Sequence, residues 1–145
     1  MADNDAVPRT GRKRLLVVDD EPGIRDTISA LLREWCDVAT ADGGPAALES
    51  IRKDPPDVML LDVSMPGMSG IEVLQALRRK PPATTIVMLT SRMEMEVVQQ
   101  ALELGAKEYI TKPFEAADLR ASVRRLLESP PAGGGHGGAP WRVAT

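Results

Sequence analysis

One cysteine, one histidine, one tyrosine and one phenylalanine in 145 residues set the first limits. Cys36 alone forms neither an intramolecular disulfide nor a Cys-only metal cage. Its apolar-leaning setting, Trp35-Cys-Asp-Val, marks it as core packing rather than a reactive thiol. His136 lies in a Gly-rich stretch and offers neither a kinase-type phosphodonor nor a metal centre. No run approaches the roughly 18 apolar residues of a membrane span, and the N-terminus carries no apolar signal core. A soluble, cytoplasmic protein with no membrane partner is expected. Charge of one sign is also lacking: charged residues make up 27% of the chain, yet the net charge is only −3. That gives no electrostatic footprint for DNA, and direct nucleic acid binding is not expected. No Gly-x-Gly-x-x-Gly follows the first apolar run and no Gly-x-x-x-x-Gly-Lys occurs, which disfavours nucleotide binding.

What is present is a set of short apolar runs that end abruptly on polar residues. Leu15-Leu-Val-Val18 breaks into Asp19-Asp20-Glu21, and Val58-Met-Leu-Leu61 closes on Asp62. Ile86-Val-Met-Leu89 closes on Thr90-Ser91. These three runs, apolar throughout, read as strands buried on both faces. A short second strand is expected over Cys36 to Thr40, and a fifth of mixed composition over Ala106 to Thr111, running into Lys112-Pro113.

Helical signals separate them. Pro22 after an acid is a helix start, and Ile24, Ile28, Leu31, Leu32 and Trp35 form one apolar stripe. Pro45 to Lys53 predicts a weaker helix with Ala46, Leu48 and Ile51 inward, stopped by Asp54-Pro-Pro56. A third runs from about Ser69 to Arg79, with Ile71, Leu74 and Leu77 inward. A fourth begins at a Ser91-x-x-Glu94 capping box and ends on Gly105. The fifth spans Glu115 or Ala116 to Glu128, with Leu119, Val123, Leu126 and Leu127 on one face.

The predicted domain therefore covers 12–129, between a flexible lead at 1–11 and a Gly/Pro-rich tail or linker at 130–145. Trp141 in that tail reads as an exposed aromatic left in a linker, with a docking residue as the alternative. Five strands alternating with five helices predict an α/β fold, a flavodoxin-like doubly wound (βα)5 sandwich. Its parallel five-stranded sheet would have the order 2-1-3-4-5. In that order the ligand crevice lies between the C-terminal ends of strands one and three, which carry Asp19, Asp20 and Asp62.

Three carboxylates in one crevice repel each other by roughly 3 kcal/mol per pair at about 5 Å and an effective dielectric of about 20. Such a cluster calls for a cation, and oxygen ligands without His or Cys suit Mg²⁺. Adding the Lys112 ammonium and the Thr90 hydroxyl makes a phosphoryl clamp. Asp62 would then be the nucleophile, forming an aspartyl phosphate. Each residue alone has a plainer role, as turn, cap or solvated charge. Their meeting at one sheet edge favours the chemical one. Lys112-Pro113 is expected to be a cis peptide, because Lys112 must turn back towards Asp62 directly after its strand.

Leu15-Leu-Val-Val-Asp-Asp-Glu21, Leu60-Leu-Asp-Val-Ser-Met-Pro-Gly-Met-Ser-Gly70, Leu89-Thr-Ser91 and Tyr109-Ile-Thr-Lys-Pro-Phe114 resemble the receiver domain of two-component response regulators, over about residues 13–128. The resemblance implies phosphotransfer to Asp62 from a sensor histidine kinase or phosphotransfer protein. It implies Mg²⁺ held by Asp19 or Asp20, Asp62 and the backbone carbonyl of Ser64. It makes Thr90 and Tyr109 a switch pair and Lys112 the phosphate partner. Ser91 stands where many members carry Ala, a small change. A downstream protein or an output domain would be reached through helix four, strand five and helix five. A phosphorylation-dependent homodimer is a further expectation. The module would catalyse only its own phosphorylation and dephosphorylation. The rival from the enzyme class is a metal-dependent phosphatase with an Asp nucleophile. Haloacid-dehalogenase-type enzymes usually place a second Asp two residues on, where this chain has Ser64, and the chain lacks a cap domain. A non-phosphorylated interaction domain with the same fold is the third reading.

Overall fold

Strands that are apolar on both sides need cover on both faces, and the chain provides it. The computed structural model describes residues 12–91 and 95–128. They form β1 (Arg14–Val18), α1 (Pro22–Leu32), β2 (Asp37–Ala41), α2 (Gly44–Lys53), β3 (Val58–Asp62), α3 (Gly70–Leu77), β4 (Thr85–Ser91), α4 (Met95–Glu103), β5 (Glu108–Lys112) and α5 (Ala116–Leu127). The five strands make one sheet in the order β2-β1-β3-β4-β5, and every neighbouring pair is parallel. The expected fold class and strand order are those observed.

Alternation along each strand divides the core into two compartments. Leu16, Val18, Met59, Leu61, Ile86 and Met88 pack with Ala47 and Ile51 of α2, Ile71 and Leu74 of α3 and Ala101 of α4. Leu15, Val17, Val58, Leu60, Val87 and Leu89 pack with Ile28 and Leu32 of α1 and with Leu119, Val123 and Leu126 of α5. The inward residues expected for α3 and α5 are all buried.

The differences from expectation are local. α1 stops at Leu32, whose carbonyl accepts from the N–H groups of Trp35 and Cys36. The Arg12 guanidinium takes the next carbonyls, those of Arg33 and Cys36. Trp35 therefore packs on the core from the turn and not from the helix. In α2 the buried alanine is Ala47, and Ala46 is exposed. Residues two apart, such as Ala46 and Leu48, point about 200° apart on a helix, whereas Gly44, Ala47 and Ile51 share a face. β2 spans Asp37–Ala41 and β5 spans Glu108–Lys112, each later than predicted, while β4 extends to Ser91. A capping box is present at Ser69 and Glu72, where two reciprocal bonds close the start of α3. Glu94, the second residue of the box predicted from Ser91, lies outside the described residues, as do 1–11 and 129–145. Gly105 follows α4 with a positive φ of 117°, as a helix-ending glycine should. Among the described residues no helix is long and apolar enough to cross a membrane.

α3 begins almost in contact with the end of β3. The Gly70 N–H donates to the Val63 carbonyl at 2.8 Å, and a Cβ on Gly70 would lie 2.3 Å from the Asp62 carbonyl oxygen. Only glycine fits between the helix and the strand end. Gly23, in the first turn of α1, has no atom within 4 Å of where its Cβ would be. Gly70→Ala should therefore destabilise the fold by about 1–3 kcal/mol, and Gly23→Ala should stabilise it by about 0.4–1 kcal/mol. Urea unfolding of both variants checks this, and equal midpoints for the two would show that the α3 start yields freely.

Candidate functional site

The strand ends carry the polar residues, and register explains who meets whom. Val18 of β1 pairs with Leu61 of β3, so the next residue on each strand, Asp19 and Asp62, stand side by side. Both continue the strand side that faces α1 and α5. Asp19 and Asp62 are almost wholly buried, with 0% and 2% exposure. One carboxylate oxygen from each of Asp19, Asp20 and Asp62 lies within 4.8 Å of the other two, Asp20 being the most open. This donor set is all oxygen, without His or Cys, and can hold a hard divalent cation.

Lys112 ends β5 beside Ser91 and reaches over the end of β4 to this group. Its ammonium lies 3.1 Å from Asp19 Oδ2, 3.5 Å from Asp62 Oδ1 and 3.9 Å from Glu21 Oε1. The Lys112-Pro113 peptide is cis, as expected. Asp62 Oδ1 also accepts from the Ser64 N–H at 3.3 Å. Among the described residues, Asp62 Oδ2 receives no hydrogen bond. Asp19 Oδ1 accepts from the Glu21 N–H at 2.9 Å.

Burial and the Asp19 charge push Asp62 from 3.8 up to about 7, against the opposing pull of Lys112 and the Ser64 N–H. Burial alone would lower the Lys112 ammonium, but Asp62 and Asp19 outweigh it and hold it above its ordinary value. Burial is thus the larger cause at Asp62, and the two neighbouring carboxylates prevail at Lys112.

Thr90 is fully buried, and its hydroxyl donates to the Ser91 carbonyl at 3.1 Å. Asp62 pairs with Leu89, so Thr90 stands one residue further along β4. Alternation puts it on the opposite face, continuing Met88. Tyr109 pairs with Met88 and shares that face with Thr90, its ring 42% exposed. The structure thus brings Asp19, Asp20, Asp62 and Lys112 together, with Thr90 beside them at the sheet edge and Tyr109 at the rim. Ser64 is exposed in the turn after β3. Sequence reasoning missed Arg25, whose Nη1 donates to the Asp19 carbonyl at 2.6 Å. Its position one turn after Glu21, at the start of a helix following the acid pair, was the available signal.

A crevice of three carboxylates and a lysine at the carboxyl edge of a 2-1-3-4-5 sheet defines a class of phosphoacceptor signalling domain. The family model described as the response regulator receiver domain matches residues 15–124, and the chain belongs to that family. It is the receiver domain of a two-component response regulator, a signalling module. It is 42% identical over 119 residues to the DNA-binding response regulator MtrA of Mycobacterium tuberculosis, covering 81% of this chain and 52% of that protein. The chain thus spans about half the length of these curated relatives. Sporulation initiation phosphotransferase F of Bacillus subtilis is 33% identical over 116 residues, covering 79% of this chain and 94% of that one. Among solved structures, the Vibrio cholerae chemotaxis protein CheY4 superimposes with a TM-score of 0.74 at 34% identity, over 80% of this chain and 99% of that one. The receiver domain of NtrX from Brucella abortus gives 0.74 at 32% identity, with the same coverage.

The position of Asp62 makes stability depend on pH. With a native value of about 7 against an ordinary 3.8, the metal-free native state binds more protons than the unfolded chain between those values. The contribution of Asp62 to stability is therefore present at low pH and is lost as pH rises through about 7. Asp62→Asn should exceed the parent in stability at pH 8 in EDTA by more than about 1 kcal/mol. The gap should narrow steadily towards pH 4. Urea unfolding across that range is the measurement, and a gap that does not vary with pH would mean that Asp62 ionises like an exposed carboxyl.

Proposed function

We propose that Asp62 is the phosphoacceptor, that Asp19, Asp20, Asp62 and the Ser64 backbone carbonyl hold Mg²⁺, and that Lys112 is the phosphate partner. The observation that carries this reading is the Lys112 ammonium lying between buried Asp19 and Asp62. Asp62 Oδ2 attacks the phosphorus of a phosphohistidine on a sensor kinase or phosphotransfer protein, or of a small acyl phosphate. The new bond is P–O, the bond to the donor breaks, and the departing imidazole or carboxylate keeps that electron pair. Bound Mg²⁺ supplies positive charge against the phosphoryl oxygens. Lys112 exchanges part of its pairing with Asp19 and Asp62 for a phosphoryl oxygen, so the pocket keeps its charge balance.

The domain catalyses its own phosphorylation and dephosphorylation and no reaction on external substrates. Its setting is cytoplasmic. The relatives named DNA-binding response regulators support a DNA-binding output for the whole protein. With a net charge of −3, the present segment itself has little attraction for DNA. Acetyl phosphate or beryllofluoride with Mg²⁺ should modify the parent stoichiometrically and leave Asp62→Ala unmodified by mass spectrometry. An acyl phosphate formed on Asp62→Ala would remove the assignment. Release of free phosphate many times per minute from an added phosphomonoester would favour the phosphatase reading.

Output runs through Thr90 and Tyr109 to the surface of α4, β5 and α5. The phosphoryl group brings acceptor oxygens to the edge where the buried Thr90 hydroxyl stands. Turning that hydroxyl away from the Ser91 carbonyl vacates space on the face it shares with Tyr109, and the exposed ring can swing into it. Thr90→Ala should remain phosphorylatable while amide NMR shifts in α4 and β5 on beryllofluoride binding fall well below those of the parent. Equal shifts in both proteins would show that Thr90 does not relay the change.

A further inference from the structure

We propose that Arg25 is a positioning residue for the cation site: by holding the Asp19 carbonyl it fixes the peptide plane that directs the Asp20 carboxylate towards Asp62. This rests on the reading of Asp19, Asp20 and Asp62 as cation ligands.

Every polar atom of Asp19 is engaged. Its N–H donates to the Ala41 carbonyl at 3.2 Å, Oδ1 accepts from the Glu21 N–H, and Oδ2 accepts from Lys112. Its carbonyl accepts from Arg25 Nη1 at 2.6 Å, a short, charge-assisted bond in a half-buried setting. The Asp20 carboxylate differs: among the described residues it has neither a hydrogen bond nor an ion pair. Its direction is therefore set by its backbone, and the backbone between Asp19 and Asp20 is one planar unit. Holding the carbonyl oxygen of that unit fixes its rotation. The backbone of Arg25 is itself held, since its N–H donates to the Glu21 carbonyl at 3.2 Å in the first turn of α1.

Charge alone predicts the opposite effect. Among the described residues no carboxylate forms an ion pair with Arg25, so its full positive charge stands beside the acid group. A cation entering that group is repelled by it. A neutral residue at 25 would then tighten cation binding if charge were the whole role, and weaken it if the role is positioning. A role confined to helix stability would lower the melting temperature and leave the affinity of the folded protein unchanged.

The test is Mg²⁺ titration, followed by amide shifts of Asp20 and Ser64, on the parent and on Arg25→Met, Arg25→Lys and Asp20→Asn. Arg25→Ala serves as the neutral variant if Arg25→Met does not fold. The neutral variant should bind Mg²⁺ about tenfold more weakly, Arg25→Lys should recover most of the loss, and saturating Mg²⁺ should restore parental shifts in the pocket. Unchanged or tighter binding by the neutral variant would overturn the inference. Asp20→Asn separates the two levels: if it leaves Mg²⁺ affinity unchanged, the cation reading itself fails and Arg25 has no site to position. Weakening in Asp20→Asn with no effect at Arg25 would discard only the role of Arg25.

Discussion

Two buried carboxylates side by side cannot both ionise without a cation between them. The rest of the molecule is arranged around that constraint. Asp19 and Asp62 are neighbours because β1 and β3 are neighbours, and that adjacency follows from the 2-1-3-4-5 strand order. The neutralising ammonium comes from β5, beyond β4. The sheet has to be complete before the charges are balanced, which ties the chemistry of the crevice to the whole topology.

Much of this was legible in the chain. Val58–Asp62 stands as read, since a continuous apolar run closed by one carboxylate leaves few alternatives for a strand of that length. The polar residues after the other runs marked the carboxyl edge of the sheet without any contact being known. What the sequence hid was mostly rotational. Ala46 and Ala47 are alike in composition, and only the helical frame separates the exposed one from the buried one. α1 was read past Leu32 because Trp35 sits at helical spacing. The carbonyls of Arg33 and Cys36, just past the helix, are taken by Arg12, a residue that precedes β1 and is remote in sequence. At the site, the identity of the carboxylates could be read, but not that Arg25 would spend its guanidinium on a backbone oxygen beside three acids.

Support at the opposite end of the sheet is of another kind. Arg14 bonds Asp54 through its guanidinium and Asp57 through its N–H, and the buried Thr84 hydroxyl donates to the Pro56 carbonyl at 2.7 Å. These contacts satisfy polar groups where the chain enters its strands. On the α1–α5 side, Trp35 lies against Arg120 and Arg124 at 4.6 and 5.5 Å from its ring centre, and Arg120 pairs with Glu34 at 3.6 Å. Their charges are largely spent on fastening α5 to the end of α1.

The division of the core by the sheet has a mechanical meaning. Asp62 belongs to the side covered by α1 and α5, and Thr90 to the side covered by α2, α3 and α4, yet both stand at one rim. A change of charge at that rim can pass from one side of the sheet to the other around its edge, with neither oily compartment unsealed. The Tyr109 ring at that rim is already 42% exposed, so it can change position without uncovering either compartment.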